Sequence, residues 1–393
     1  MNITFLAHKL NQRGGSSFSL DLMARLLSDS GHYVKILTTN LFQENNLPNK
    51  RPYEVKGDVV TSSTPLGALP EIKNILTHHE ENTDIYHIFN PQYLPIAGWY
   101  RKDNEVPTVG RLNSYGSFCT NPAMIDGDCY KNCSFINKII HDDRGTAEKP
   151  THLPEYFYKH FSLREVNHLD RVFALSPSIK EIYSYNGIRS DLIDIVPNFY
   201  NPDFSCNEHK HVNILEDEYT LLYVGRLREE KGVDILIDAV GLIDRQNIAV
   251  NIVGDGPQLE QLVQRAERNG ISDSVRVHGK VNHSRLPFFY TQSDLFVHPG
   301  RWPEPFGRTI LEALQCECPL IVSDIGAPPW IIGEAGITFE RGNAVDLADK
   351  MVTCTSEAEI TRLKQNCHSR LDDFSPNSII TGIENTYQEL FEP

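Results

Sequence analysis

Leu221-Leu222-Tyr223-Val224-Gly225-Arg226-Leu227-Arg228-Glu229-Glu230-Lys231-Gly232 passes from an unbroken apolar run, through a charged glycine turn, into a helical pattern that starts near Val233. An apolar run without alternation is what a strand covered on both faces requires. The helix close behind it makes a βα unit, and the passage recurs along the chain. Strands are predicted at 2–7, 33–38, 84–89, 107–112, 171–176 and 193–198, then at 220–225, 250–254, 275–279, 295–299, 320–324 and 336–340. The helices predicted between them include 16–30, 177–186, 232–245, 257–269 and 307–317. Such alternation implies parallel sheets with right-handed crossovers. The expected fold class is α/β, with two doubly wound, Rossmann-like parallel-sheet domains facing across a cleft.

The break falls in the polar, turn-rich segment from Asn201 to Glu218, which has no apolar helix pattern. Residues 1–203 are expected to form the first domain and 204–375 the second. A last helix at about 376–393 is expected to cross back to the first.

With 393 residues, 40% of them hydrophobic and 23% charged, the chain has the profile of a globular protein of two ordinary domains. A net charge of −15 argues against a nucleic-acid binder, which would present a basic face. No apolar stretch approaches the roughly 18 to 20 residues that span a bilayer. The start, Met1-Asn2-Ile3-Thr4-Phe5-Leu6-Ala7, lacks the basic region of a signal peptide. A cytoplasmic location is expected, with peripheral contact at a membrane left open; the oligomeric state is not legible.

The strongest chemical signal is Pro299-Gly300-Arg301-Trp302-Pro303-Glu304-Pro305-Phe306-Gly307-Arg308-Thr309-Ile310-Leu311-Glu312-Ala313-Leu314. A strand ends at His298, a proline-rich loop carries Glu304, and a helix starts near Gly307 with Glu312 just over a turn inside. The free N–H groups from Gly307 to Thr309 suit phosphate oxygens. In the opening stretch, Arg226 and Lys231 are two cations on one loop at the carboxyl end of a strand, able to clamp a diphosphate. Val253-Gly254-Asp255-Gly256-Pro257 is a third strand-to-helix turn, whose glycines permit close approach of backbone to a ligand.

Taken together, these pieces, with Gly14-Gly15 ahead of the first helix, resemble the retaining glycosyltransferases of the GT-B fold known as family 4. The resemblance covers nearly the whole chain. It implies that Arg226 and Lys231 are the diphosphate-binding cations and that Glu312 binds the ribose hydroxyls. Glu304, Phe306 and Gly307 would meet the donor sugar, and Arg308 and Thr309 would offer backbone amides to the phosphates. Gly14, Gly15 and Gly254 would approach the donor, and Val281, after His278-Gly279-Lys280, would contact the base. His87 sits where relatives often carry two histidines, with Phe89 at the second position. Asn113, ahead of Ser114, stands where many relatives have a His-Asp pair, and with Tyr115 it is expected on the acceptor side.

The implied activity moves a sugar from a nucleotide-diphosphate sugar to a glycan, lipid-linked or other hydroxyl acceptor, with retention. No cofactor is required, because Arg226, Lys231 and helix N-termini stabilise the leaving diphosphate. Hexosyl and N-acetylhexosaminyl donors both fit. The alternative is a silent, glycosyltransferase-like binding subunit of a glycan-assembly complex, although such a copy has no chemical reason to keep Arg226, Lys231, Glu304 and Glu312.

Eight cysteines are present. Cys316 and Cys318 read as ordinary small residues on or just after a helix. Cys119, Cys129 and Cys133 cluster in one polar loop, where unligated thiols, a structural metal completed by His141 or His152, and a disulfide are the readings weighed.

Overall fold

The structure is a computed structural model. It describes residues 1–8, 10, 15–39, 51–57, 60, 65–121, 133–142, 149–206, 219–244 and 247–392. The chain divides into two compact units, and of the described residues the first holds 1–121, 133–198 and 377–392, and the second 199–376. No helix of the described residues is long and apolar enough to cross a membrane.

The first unit contains a seven-stranded sheet with β1 Asn2–Ala7, β2 Tyr33–Thr38, β3 Glu54–Gly57, β4 Ile85–Ile88, β5 Thr108–Leu112, β6 Arg171–Ala174 and β7 Ile193–Ile195. Its order is β3-β2-β1-β4-β5-β6-β7, with every pairing parallel. The second has six parallel strands, β8 Tyr219–Val224, β9 Ile248–Val253, β10 Val275–Gly279, β11 Leu295–His298, β12 Leu320–Ser323 and β13 Gly336–Phe339, in the order β10-β9-β8-β11-β12-β13. The expected fold class is thus observed as two doubly wound parallel sheets. β3 was not anticipated: Glu-Val-Lys-Gly is mostly exposed at a sheet edge and carries no apolar run.

Burial explains the central strands. In β11 and β12 every residue is buried, and in β8 all but Thr220. Leu221, Val250, Val297 and Ile321 pack with Val233, Leu236 and Ile237 of the helix Val233–Leu242 into one apolar core. At roughly 2 kcal/mol for each large apolar side chain removed from water, this core dominates the unit's stability.

In both sheets the strand order reverses once, between β1 and β4 and between β8 and β11. At such a switch point the two loops leaving the carboxyl ends of the adjacent strands diverge to opposite faces, and a crevice opens between them. In the second unit those loops are Gly225–Gly232 after β8 and Pro299–Gly307 after β11.

Candidate functional site

The two loops are joined by backbone. Arg301 N–H donates to Glu230 O at 2.9 Å, and from the segment after β12 Ala327 N–H donates to Glu304 O at 2.9 Å. Gly232 has φ 65°, and a Cβ there would stand 1.9 Å from Pro299 O. The third turn docks equally closely, since Leu227 N–H bonds Asp255 O at 3.0 Å and a Cβ on Gly254 would meet Gly225 O at 1.8 Å. Only glycine allows these approaches. Arg301 locks the pair from outside, giving both guanidinium arms to Asp234 at 2.6 Å.

Lys231 donates from Nζ to Glu304 Oε2 and lies 4.9 Å over the Trp302 ring. Trp302 Nε1 donates to the same oxygen at 2.7 Å, and His298 Nε2 lies 3.9 Å away. Burial alone would raise the Glu304 pKa. The Lys231 charge, the nearby His298 and these hydrogen bonds outweigh it and hold the carboxyl below its ordinary range. His298 is buried and is pushed down to about 4, by burial first, against the pull of Glu304. It is therefore neutral near pH 7.

Gly307, at φ 102°, caps the helix Arg308–Gln315, and a Cβ there would lie 3.7 Å from Glu304 Cγ. The amide-bearing end of the helix thus adjoins the Lys231–Glu304 pair. Glu312, 7% exposed, lies inside this helix and accepts from His283 Nε2 at 2.9 Å and from the Tyr290 hydroxyl at 3.0 Å. Burial and the Glu312 charge push the Tyr290 phenol well above its ordinary range, so it stays a donor. Burial lowers Arg308 to about 10, and the Glu312 charge partly offsets that. Arg226 is exposed, and its side chain forms no ion pair among the described residues.

Arg226, Lys231, Gly254, Glu304, Gly307, Arg308, Thr309 and Glu312 therefore stand on loops and a helix end bordering one switch point. Phe306 is there only through its backbone, because its ring is buried at 2% exposure against Phe374. Val281 is half-buried on the segment after β10. His283, Tyr290, His298 and Trp302 were not picked out from the sequence. Trp302 and His298 at least lie in or beside the decisive string, whereas His283 and Tyr290 reach Glu312 only by folding.

The first unit corrects several expectations. His87 is not at an accessible strand end. It is fully buried, stacked on Phe5 at 4.8 Å, with Nδ1 bonded to the Tyr387 hydroxyl at 2.5 Å. Burial and nearby Arg111 keep it uncharged, and its ring is part of the first unit's core. Tyr115 is likewise fully buried, packed on Tyr183 and Phe118, which removes its side chain from acceptor recognition. Asn113 is half-buried and donates to Phe89 O at 2.8 Å and Ser16 Oγ at 3.4 Å. Gly15 opens the helix Gly15–Asp29, and Gly14 lies outside the described residues.

Cys129 also lies outside them. Cys119 donates to Asn121 O, and Cys133 accepts from Lys138 Nζ at 3.1 Å. His152 faces Glu155 at 3.4 Å. No group of three or more His, Cys, Asp or Glu able to hold a metal occurs among the described residues, so the metal reading has no support. Cys316 is no ordinary small residue but is disulfide-bonded to Cys206.

Residues 205–366 match the family described as glycosyl transferases group 1. An uncharacterised glycosyltransferase of Methanocaldococcus jannaschii is 26% identical over 337 residues, covering 81% of this chain and 86% of the relative. Further curated relatives match over less than half of their own length. Among solved structures, a sucrose-phosphate synthase of Thermosynechococcus elongatus superposes with TM-score 0.77 at 18% identity, covering 100% of this chain and 99% of that one. The HepE protein of Anabaena in complex with UDP gives 0.73 at 20%, covering 99% and 100%. The fold is GT-B. The match to the group 1 glycosyl transferases lies within the second unit.

Proposed function

We propose that this chain is a retaining glycosyltransferase of family 4 that takes a sugar from a nucleotide-diphosphate sugar and places it on a hydroxyl acceptor. The observation that carries the reading is the meeting of cations, carboxylates and a helix N-terminus at one switch point of the second sheet.

The diphosphate is bound between Arg226, Lys231 and the N–H groups of Arg308 and Thr309. Glu304 orients Lys231 before the donor arrives and accepts from the sugar hydroxyls. Glu312 accepts from the ribose diol. Negative charge grows on the leaving diphosphate as the bond from the anomeric carbon to the phosphate oxygen breaks. Charges already in place stabilise it without reorganisation, and removing one such donor typically costs about 100- to 1000-fold in rate. The acceptor oxygen bonds the anomeric carbon on the face the diphosphate leaves, and its proton passes to the departing phosphate oxygen. No enzyme nucleophile enters. Hexosyl and N-acetylhexosaminyl donors fit, as do glycan and lipid-linked acceptors. Some relatives and neighbours differ in substrate, and the HepE structure holds UDP.

The test is hydrolysis and transfer with a panel of uridine and guanosine diphosphate sugars, comparing wild type with Lys231→Ala. Turnover that depends on Lys231 in a folded protein supports the reading, and Lys231-independent turnover overturns it.

A further inference from the structure

The helix that carries Glu312 is tied at its far end. Cys316, its C-cap, is bonded to Cys206 across a sequence separation of 110, with the Cα atoms 5.3 Å apart. Gln315 adds two hydrogen bonds, from Nε2 to Asn201 O at 2.8 Å and to Phe204 O at 3.3 Å. The segment from Asn201 to Cys206 is thereby held on the last turn of that helix. It places Phe204, itself 5% exposed, with its ring 5.1 Å from that of His283 and 6.2 Å from that of Tyr290.

Among the described residues, His283 and Tyr290 are the two that bond the carboxylate oxygens of Glu312. A carboxylate offers about four lone-pair positions, so two remain for hydroxyls once these are taken. The orientation of the remaining two depends on both partners staying in place. Tyr290 is fully buried, whereas the His283 side chain is 44% exposed on the one-turn segment His283–Arg285. The Phe204 ring packs against His283.

We propose that His283 and Phe204 are positioning residues for Glu312, and that the Cys206–Cys316 disulfide, by fixing Phe204, makes the grip on the nucleotide ribose sensitive to reduction. The inference rests on the donor-site reading above. The chemistry is thiol–disulfide exchange with a dithiol reductant. A thiolate attacks the Sγ of Cys206, the less buried of the two residues, and Cys316 leaves as thiolate and takes up a proton. The second thiol of the reductant then displaces Cys206. Two electrons and two protons reach the protein, and the reductant departs as its disulfide. The Asn201–Cys206 segment then keeps the Gln315 hydrogen bonds but loses its covalent tie to the helix.

The test uses the whole protein, oxidised or treated with dithiothreitol, and calorimetric affinities for UDP and GDP and for their 2′,3′-dideoxy counterparts, which lack the ribose diol. Reduction, the Cys206→Ser/Cys316→Ser variant and His283→Ala should each weaken the better-bound ribonucleotide about tenfold, the scale of a hydrogen bond to a charged group. The dideoxy form should be unaffected. His283→Gln, whose amide N–H replaces Nε2, should recover most of the loss. Equal affinities in oxidised and reduced protein overturn the proposal, as does an equal loss for ribo and dideoxy forms. Failure of the oxidised protein to bind any nucleotide overturns the donor-site reading beneath it.

Discussion

Lys231 and Glu304, at a sequence separation of 73, form a hydrogen-bonded ion pair whose side chains are only 13% and 14% exposed. The pair closes the mouth of the second sheet at the point where its strand order reverses. In the proposed mechanism a cation so placed would meet the donor diphosphate already desolvated and oriented, with Glu304 holding it there.

Lys231→Ala should therefore reduce turnover by at least about 100-fold with saturating donor, since the lost charge acts on the leaving diphosphate. Steady-state kinetics with circular dichroism on the same preparation checks this. A loss of ten-fold or less in a folded variant would remove Lys231 from the mechanism.

His298 gives stability a pH dependence. Burial sets its folded-state value at about 4, below the ordinary 6.5, so the unfolded chain takes up the proton first as pH falls. The contribution is complete above pH 6.5, shrinks as pH falls, and is gone near pH 4, an effect of up to about 3 kcal/mol. His87, also lowered by burial, adds in the same direction. Urea unfolding of wild type and His298→Leu from pH 7 to 4 should show a shallower fall in the variant; parallel curves would refute it.

Two glycines should respond oppositely to alanine. Gly254 has φ 152° and a would-be Cβ 1.8 Å from Gly225 O, so Gly254→Ala must push the β8 loop away and should cost more than about 3 kcal/mol. Gly382 lies exposed in the helix Pro376–Phe391 with nothing within 4 Å of a Cβ. Gly382→Ala should stabilise by about 0.5–1 kcal/mol. Thermal melts of both variants decide the matter.

Tyr387→Phe leaves the His87 ring without its hydrogen-bond partner in a buried site, since Nε2 has none among the described residues. Unfolding free energy should fall by about 1–2 kcal/mol. Turnover per folded molecule should not change, because the His87 ring is fully buried in the core. A selective loss of turnover at full stability would restore His87 to the chemistry.

Strand positions were legible because central parallel strands are apolar on both faces, and β8, β11 and β12 show it without alternation. β3 was not, because an edge strand that is mostly exposed needs no apolar residues. Loops that meet at a switch point were legible too, since glycine, cation and carboxylate spacing are local. His87 and Tyr115 were misplaced for a different reason: a histidine ending a strand and a tyrosine following one look alike whether they face a crevice or a core. The neighbours that decide, Tyr387 for His87 and Tyr183 for Tyr115, lie far along the chain.

By itself, then, the order of residues determined the α/β alternation and the string of glycines, cations and carboxylates on the loops at the strand ends, because hydrophobic period and turn chemistry act over a few residues. Only the tertiary structure decided which side chains surround Glu312, that Cys206 meets Cys316, and that His87 is core. Those contacts join segments up to 300 residues apart, as His87 and Tyr387 are. They are settled when burial of whole sheet faces brings distant segments together, and no local pattern encodes that.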